Sequence, residues 1–264
     1  MSDRVEVQIS NHIADVRLTR SDKLNAFDRP MFDGLIETAQ GLAKEPSVRA
    51  VVLSGEGRAF SAGLDFASMG QTGPSFKDMP EVPDTPANWF QAAAFLWREL
   101  PMPVIAAVQG VAYGAGMQLA LSADIRFVTP DAKLSLRELH WGLIPDMSAT
   151  QTLRSQVRLD VAKELIYTAR VVSGAEAVEL GLATHVTDSP HEAALELAHE
   201  IAARNPTAVR AAKELLETTQ VREAEAALAL EQELQARVIG KPNQAEAVKA
   251  NMEKRQPEFG DAEI

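Results

Sequence analysis

Apolar and polar positions along the chain fall into a few repeating patterns. Val5, Val7 and Ile9, then Ile13, Val16 and Leu18, predict paired strands across a turn at Ser10-Asn11. Asp28-Arg29-Pro30 signals a helix start, and Phe32, Leu35, Ile36, Ala39, Leu42 and Ala43 follow at helical spacing until Pro46. Two runs read as buried-type strands: residues 49–54, ended by Gly55 and Gly57, and Val104 to Val108, ended by Gln109-Gly110; Asp124 to Val128 reads as the next strand. A shorter strand is predicted at Leu134-Ser135-Leu136, and a helix from Trp89 to Leu100. Buried-type strands alternating with helices predict an α/β fold with a largely parallel core.

Two stretches depart from this alternation. Phe66 to Ala87 holds Gly70, Gly73 and the prolines at 74, 80, 83 and 86; it reads as a long loop with a short helix, either the wall of a pocket or a surface excursion. Beyond Asp146 the chain is nearly all helix, with one more short strand within Ala183–Thr187. Ser173…Glu176 and Ser189…Glu192 have capping-box spacing. Val209, Ala212, Leu215 and Leu216 form one predicted apolar stripe, and Leu230, Leu234 and Val238 another. Residues 1–195 read as the core and 196–264 as a helical region whose stripes suit subunit contacts or packing on the chain's own core.

Candidate chemistry gathers between Pro103 and Asp146. A strand, the turn Tyr113-Gly114-Ala115-Gly116 and a helix beginning near Met117 leave backbone N–H groups free at a helix N-terminus, with small residues to let an oxygen approach. Glu138 follows and, eight residues on, Asp146. An anion site beside two carboxylates suits the formation and quenching of an enolate. Glu138 could instead pair with Arg137 or Arg126, and Asp146 could cap the next helix.

Composition narrows the classes. With 26 basic and 37 acidic residues among 264, the net charge of −11 argues against a nucleic-acid surface. Without cysteine there is no disulfide or thiol chemistry. The N-terminal residues carry no apolar leader and no run is long enough to span a membrane, so a soluble, cytoplasmic protein is expected.

Several segments together resemble the crotonase (enoyl-CoA hydratase/isomerase) superfamily: Lys23-Leu24-Asn25-Ala26; Ala59-Phe60-Ser61-Ala62-Gly63-Leu64-Asp65; residues 103–110 with the Gly114-Ala115-Gly116 turn; Glu138…Gly142-Leu143-Ile144-Pro145-Asp146; and Ser173-Gly174-Ala175-Glu176-Ala177…Gly181-Leu182. The resemblance implies a spiral of repeated β-β-α units with a C-terminal helical region that builds trimers, often paired into hexamers. It implies an acyl-CoA substrate and no separate cofactor or metal. It assigns the thioester oxygen to the N–H groups of Leu64 and Ala115, and CoA to Lys23, Leu24, Ala26, Ala62 and Lys254, the last reaching a neighbouring subunit.

The acid–base positions separate the reactions. Hydratases of this family usually carry a glutamate where this chain has Gln118, which cannot exchange a proton as a carboxyl group does. Some isomerases carry an aspartate where Asp146 stands, and dienoyl-CoA isomerases have both a glutamate and an aspartate so spaced, with a further acid at the position of Gln118. Double-bond isomerisation is therefore expected, with Glu138 as principal base, Asp146 as partner, and Gln118 and Trp141 in the substrate pocket; His140 is assigned no chemistry. Asp65 reads as a helix cap. The alternatives are 2-enoyl-CoA hydration and a non-catalytic acyl-CoA-binding scaffold. A dinucleotide site lacks its third glycine, where Leu119 stands, and a serine hydrolase lacks its Gly-x-Ser-x-Gly elbow.

Overall fold

The computed structural model describes residues 3–74, 78–220 and 222–262. In chain order its elements are β1 (Val5–Ser10), β2 (Ile13–Leu18), α1 (Arg29–Ala43), β3 (Ala50–Gly55), α2 (Phe66–Thr72), α3 (Trp89–Glu99), β4 (Val104–Val108), β5 (Val111–Tyr113), α4 (Ala115–Ser122), β6 (Ile125–Val128) and β7 (Lys133–Ser135). Then come a 3-10 turn (Glu138–Trp141), α5 (Ala149–Gln156), α6 (Leu159–Thr168), β8 (Val172–Ser173), α7 (Gly174–Leu180), β9 (His185–Val186), α8 (Pro190–Ala202), α9 (Pro206–Thr219), α10 (Ala224–Val238) and α11 (Pro242–Glu253).

The larger sheet has the order β1-β2-β3-β4-β6-β9, antiparallel only at β1/β2. A smaller sheet runs β5-β7-β8, and an isolated parallel bridge from Ser61 to Ala112 extends it. Each turn of the coil thus supplies one strand to the large sheet, one short extended segment to the small sheet, and then a helix. This is the expected α/β spiral of β-β-α units with a helical C-terminal region.

Both faces of the large sheet are covered, which explains why its strands lack alternation. Val51, Leu53, Val104, Ala106 and Val108 face the main core with α1, α3 and α4. Ala50, Val52, Ile105 and Ala107 face Ala194, Ala198 and Ala202 of α8, whose alanine stripe lets the helix lie close to the sheet. α8 therefore carries the core through Ala202, across position 195. Arg49, at the entry to β3, donates to the Ala202 carbonyl at 3.0 Å and the Phe259 carbonyl at 2.7 Å, binding the C-terminal segment to the sheet.

Helix starts follow local chemistry. Asp28 accepts from the Met31 N–H, Asn88 and Gln91 form a capping box, and Asn205 accepts from the Thr207 and Ala208 N–H groups. Ser173 caps α7 by accepting from Glu176 N–H, but Ser189 makes no side-chain cap bond. α8 begins instead with Pro190 in its first turn, a residue whose missing N–H needs no cap.

Four further details differ from the sequence reading. The first hairpin turns at Asn11-His12, both at positive φ (49° and 66°), as a tight turn between twisted strands requires. Strands β5 and β8 are too short to show a pattern of their own. The last strand keeps only His185–Val186. On α9, Ala212 and Leu216 are exposed and Lys213 is buried instead. Its Nζ donates to Asp124 Oδ2 at 2.8 Å and to the Met102 carbonyl at 3.1 Å, while Asp124 also accepts from the Val104 N–H. That ion pair sets the rotation of α9, overriding the apolar stripe.

Removing one member of a buried pair leaves the other without its counter-charge. Lys213→Met is expected to lower stability by about 3 kcal/mol, and adding Asp124→Asn to restore part of it. Urea unfolding midpoints of the single and double variants test this; an unchanged midpoint in Lys213→Met would show that the pair does not fix α9.

Candidate active site

Two turns of the coil run in register beside each other. Ser61 pairs with Ala112, the Ser61 N–H donating to the Val111 carbonyl and the Tyr113 N–H to the Ser61 carbonyl, both at 3.0 Å. Three residues past each partner lie Leu64 and Ala115. Gly63 has φ +88°, and a Cβ there would sit 2.5 Å from the Tyr113 carbonyl oxygen, so only glycine lets the turns approach. Gly114, at φ +51° and ψ −118°, likewise adopts a backbone conformation suited to glycine. Leu64 bridges Phe27 through its neighbours' groups, the Phe27 N–H donating to Gly63 and the Asp65 N–H to Phe27. Ala115 opens α4, where N–H groups lack helical acceptors. Among the described residues no backbone carbonyl accepts from the Leu64 or Ala115 N–H.

A buried polar lattice supports the first turn. Asn25, fully buried, accepts from the Arg20 N–H at 2.9 Å and donates to the Glu56 and Ala59 carbonyls at 3.0 and 2.9 Å. Ser61 Oγ donates to the Asn25 carbonyl and accepts from the Gly63 N–H. Arg20 pairs with Asp28 at 3.3 Å and Asp65 at 2.9 Å. Asp65 caps α2 as expected; the Ser68 N–H and then Arg20 hold its carboxyl below the usual range.

Beyond the second turn, Gln118 is buried and held at both ends. Its Oε1 accepts from the Met147 N–H at 2.8 Å and the Ala149 N–H at 3.3 Å, so its amide nitrogen faces Glu138 Oε1, to which it donates at 2.6 Å. Glu138 Oε2 is buried with no partner among the described residues. Burial pushes the Glu138 carboxyl up, with a smaller push from Asp146, against hydrogen bonds from its own backbone and Gln118. Burial also pushes Asp146 up. Neither carboxylate takes its alternative role. Arg126 donates to the Leu182 and Ala123 carbonyls, Arg137 stacks on Tyr113, and α5 is capped at Ser148 without a side-chain bond.

These groups line one cleft of about 520 Å³. Leu64, Ala115, Gln118, Glu138, Trp141, Asp146 and Ala62 all border it. Lys23, Leu24 and Ala26 do not line it; they lie in the neighbouring segment, where the Leu24 carbonyl accepts from the Ala62 N–H at 2.9 Å. Lys254 ends α11, outside the lining. The sequence reading missed Phe32, Phe90 and Met147, whose helical or loop spacing marks only core. It also left Phe66, Met69 and Pro74 unassigned within a stretch that serves as cleft wall. Phe66 and Trp141 meet with ring centroids 4.9 Å apart, both substantially exposed. A cavity of about 560 Å³ between α3, α9 and α10 is ringed by cations, but Arg98, Lys213 and Arg237 are paired with Glu217, Asp124 and Glu214.

Burying an unneutralised carboxylate favours the protonated folded state. With its folded pKa above the ordinary 4.5, Glu138 makes the fold lose stability as pH rises from that value through the raised one. Glu138→Gln removes this cost. The variant is expected to melt a few degrees above wild type at neutral pH, the gap closing as pH falls below the ordinary glutamate range. Melting curves across that range check it; a lower melting temperature at every pH overturns it.

The chain matches the sequence profile of the enoyl-CoA hydratase/isomerase family over residues 8–262. It is 35% identical over 260 residues, covering 97% of each chain, to YngF of Bacillus subtilis, whose name places it among enoyl-CoA hydratases/isomerases. It is 32% identical over 216 residues to the mitochondrial Delta(3,5)-Delta(2,4)-dienoyl-CoA isomerase of Mus musculus, covering 76% of this chain and 64% of that one. The crystal structure of an enoyl-CoA hydratase from Bacillus anthracis superposes with a TM-score of 0.88 at 31% identity, over 97% of this chain and 99% of that one. The protein is an enzyme of the enoyl-CoA hydratase/isomerase, or crotonase, family.

Proposed function

We propose that the protein moves a carbon–carbon double bond in an enoyl-CoA, converting a 3-enoyl to a 2-enoyl thioester. The observation that carries this is the state of Gln118. Its amide is fixed by two backbone donors and turned toward Glu138, so one carboxylate oxygen is occupied and the other, Oε2, is left to handle a proton. Hydration by the usual route needs a carboxyl group where that amide stands.

The thioester oxygen accepts from the Leu64 and Ala115 N–H groups, where negative charge develops as the proton at C2 leaves. Fixed donors at such a place lower the barrier by about 3 kcal/mol each. Glu138 Oε2 takes the C2 proton, the electron pair left at C2 delocalises onto the thioester oxygen on one side and through the C3–C4 double bond onto C4 on the other, and a proton is delivered to C4. Asp146 is the partner acid, and proton exchange with solvent resets the pair; no water is added. Trp141 and Gln118 shape the acyl end. Lys23, Leu24, Ala26 and Ala62 hold CoA, which is part of the substrate, and no further cofactor takes part.

Lys254 lies outside the cleft lining, which suits a role across a subunit boundary. Leu216, Leu228, Val248 and Met252 on α9, α10 and α11, and Ile239 just past the end of α10, are exposed apolar residues, and residues 196–264 are proposed to build a trimer or a dimer of trimers. A cytoplasmic location is proposed with it. Hydration of a 2-enoyl-CoA is the second reading, favoured by the hydratase names among the relatives, with Asp146 as the second carboxyl group.

Conjugated-thioester absorbance distinguishes the two. A rise with a 3-enoyl-CoA and no loss with a 2-enoyl-CoA is expected; loss with the 2-enoyl ester would establish hydration instead. Glu138→Gln is expected to reduce turnover at least about a hundredfold while CoA-ester binding persists, and wild-type-like activity in that variant would sink the mechanism. Because the base must be ionised, kcat/KM is expected to fall as pH drops through a midpoint above the ordinary glutamate value of 4.5. Gln118→Leu removes a hydrogen bond that favours the carboxylate, so the acid limb moves to higher pH; a limb that stays in place would show that Glu138 does not control it.

A further inference from the structure

The cleft carries a cation that the proposed reaction does not use. Among its described lining residues Arg137 is the only lysine or arginine. Its guanidinium lies 5.0 Å from the Tyr113 ring centroid, and it has no ion pair or hydrogen bond among the described residues. The cleft's own carboxylates do not neutralise it: Glu138 Oε1 is bonded to Gln118, and neither Glu138 nor Asp146 lies within ion-pair distance of it.

A half-buried guanidinium with no anion has lost hydration without compensation. The Tyr113 ring attracts the cation through its π face, an interaction that takes none of the guanidinium N–H donors into a hydrogen bond, so they remain available. Their fork matches the two oxygens of a carboxylate. The remaining walls, including Phe32, Phe66, Met69, Phe90 and Met147, would hold a neutral hydrocarbon chain without any cation.

We propose that Arg137 receives a carboxylate carried by the acyl group, making enoyl thioesters of dicarboxylic acids the preferred substrates. This rests on the acyl-thioester reading of the cleft. CoA itself offers phosphates as a second source of negative charge. The acyl carboxylate is favoured by position, because Arg137 precedes Glu138 and lies over the ring of Tyr113, two residues before the Ala115 donor. The segment proposed for CoA, Lys23 to Ala26, lies outside the lining.

Binding of two saturated esters with equal carbon backbones tests the assignment without requiring turnover. Glutaryl-CoA ends in a carboxylate and valeryl-CoA in a methyl group. By titration calorimetry, wild type is expected to bind glutaryl-CoA the more tightly. Arg137→Met is expected to lose about tenfold to a hundredfold for glutaryl-CoA and to hold valeryl-CoA within about twofold, an arm that also shows the variant is folded. Arg137→Lys, the milder change should Arg137→Met fold poorly, shows the same selective loss to a smaller degree. Equal losses for both esters would assign Arg137 to the CoA phosphates and overturn the proposal, as would no loss for either. Wild type that binds valeryl-CoA without favouring glutaryl-CoA overturns it while leaving the acyl-CoA reading intact. Wild type that binds neither ester removes both.

Discussion

The orientation of one buried amide governs the rest of the site. Gln118 sits on α4, four residues after the turn that exposes the Ala115 N–H, and grips the loop that brings Asp146 round to the cleft. Its other end holds Glu138 on the 3-10 turn. Helix α4, the 3-10 turn and the loop before α5 are thereby fixed to one planar group, whose oxygen accepts from two backbone N–H groups and whose nitrogen donates to one carboxylate. A carboxyl group at the same place could satisfy the two N–H groups equally well, but it would change its charge with pH and would repel ionised Glu138. The amide gives the same scaffold with a constant charge.

That rigidity is bought against stability. Glu138 and Asp146 both lie where burial disfavours the ionised form, and Glu138 keeps one oxygen without a partner. By contrast, the polar lattice beneath the first turn is satisfied. Asn25 makes three side-chain hydrogen bonds, and Asp65 is shared between a helix cap and Arg20. The larger cavity, between α3, α9 and α10, has most of its charges paired.

Much of this was legible in the sequence. Strands β3 and β4 are apolar on both faces because helices cover both, and the glycine turn at 114 announces a close backbone approach. Glu138 and Asp146 stand out because a carboxylate on either side of a Gly…Pro loop has few structural uses. What could not be read were properties of pairing across the chain. Lys213 on α9 is indistinguishable from a solvated lysine until Asp124 is beside it, 89 residues away. The register of Ser61 with Ala112, which makes Leu64 and Ala115 neighbours, leaves no mark on either segment alone. The stacking of Arg137 on Tyr113 is likewise a product of the small sheet, where Tyr113 pairs with Ser135.

The tether at Arg49 has a consequence for the order in which the molecule can be completed during synthesis. This side chain stands at the mouth of a central strand, yet the carbonyls that receive it belong to Ala202 and Phe259, translated some 153 and 210 residues later. Until those carbonyls are made, Arg49 beside β3 is left to water. Partially emerged chains of this kind expose the surface that α8 later covers, and such intermediates are where aggregation competes with folding. The segment around Phe259 therefore acts as a fastening that can close only after the helices before it have been made.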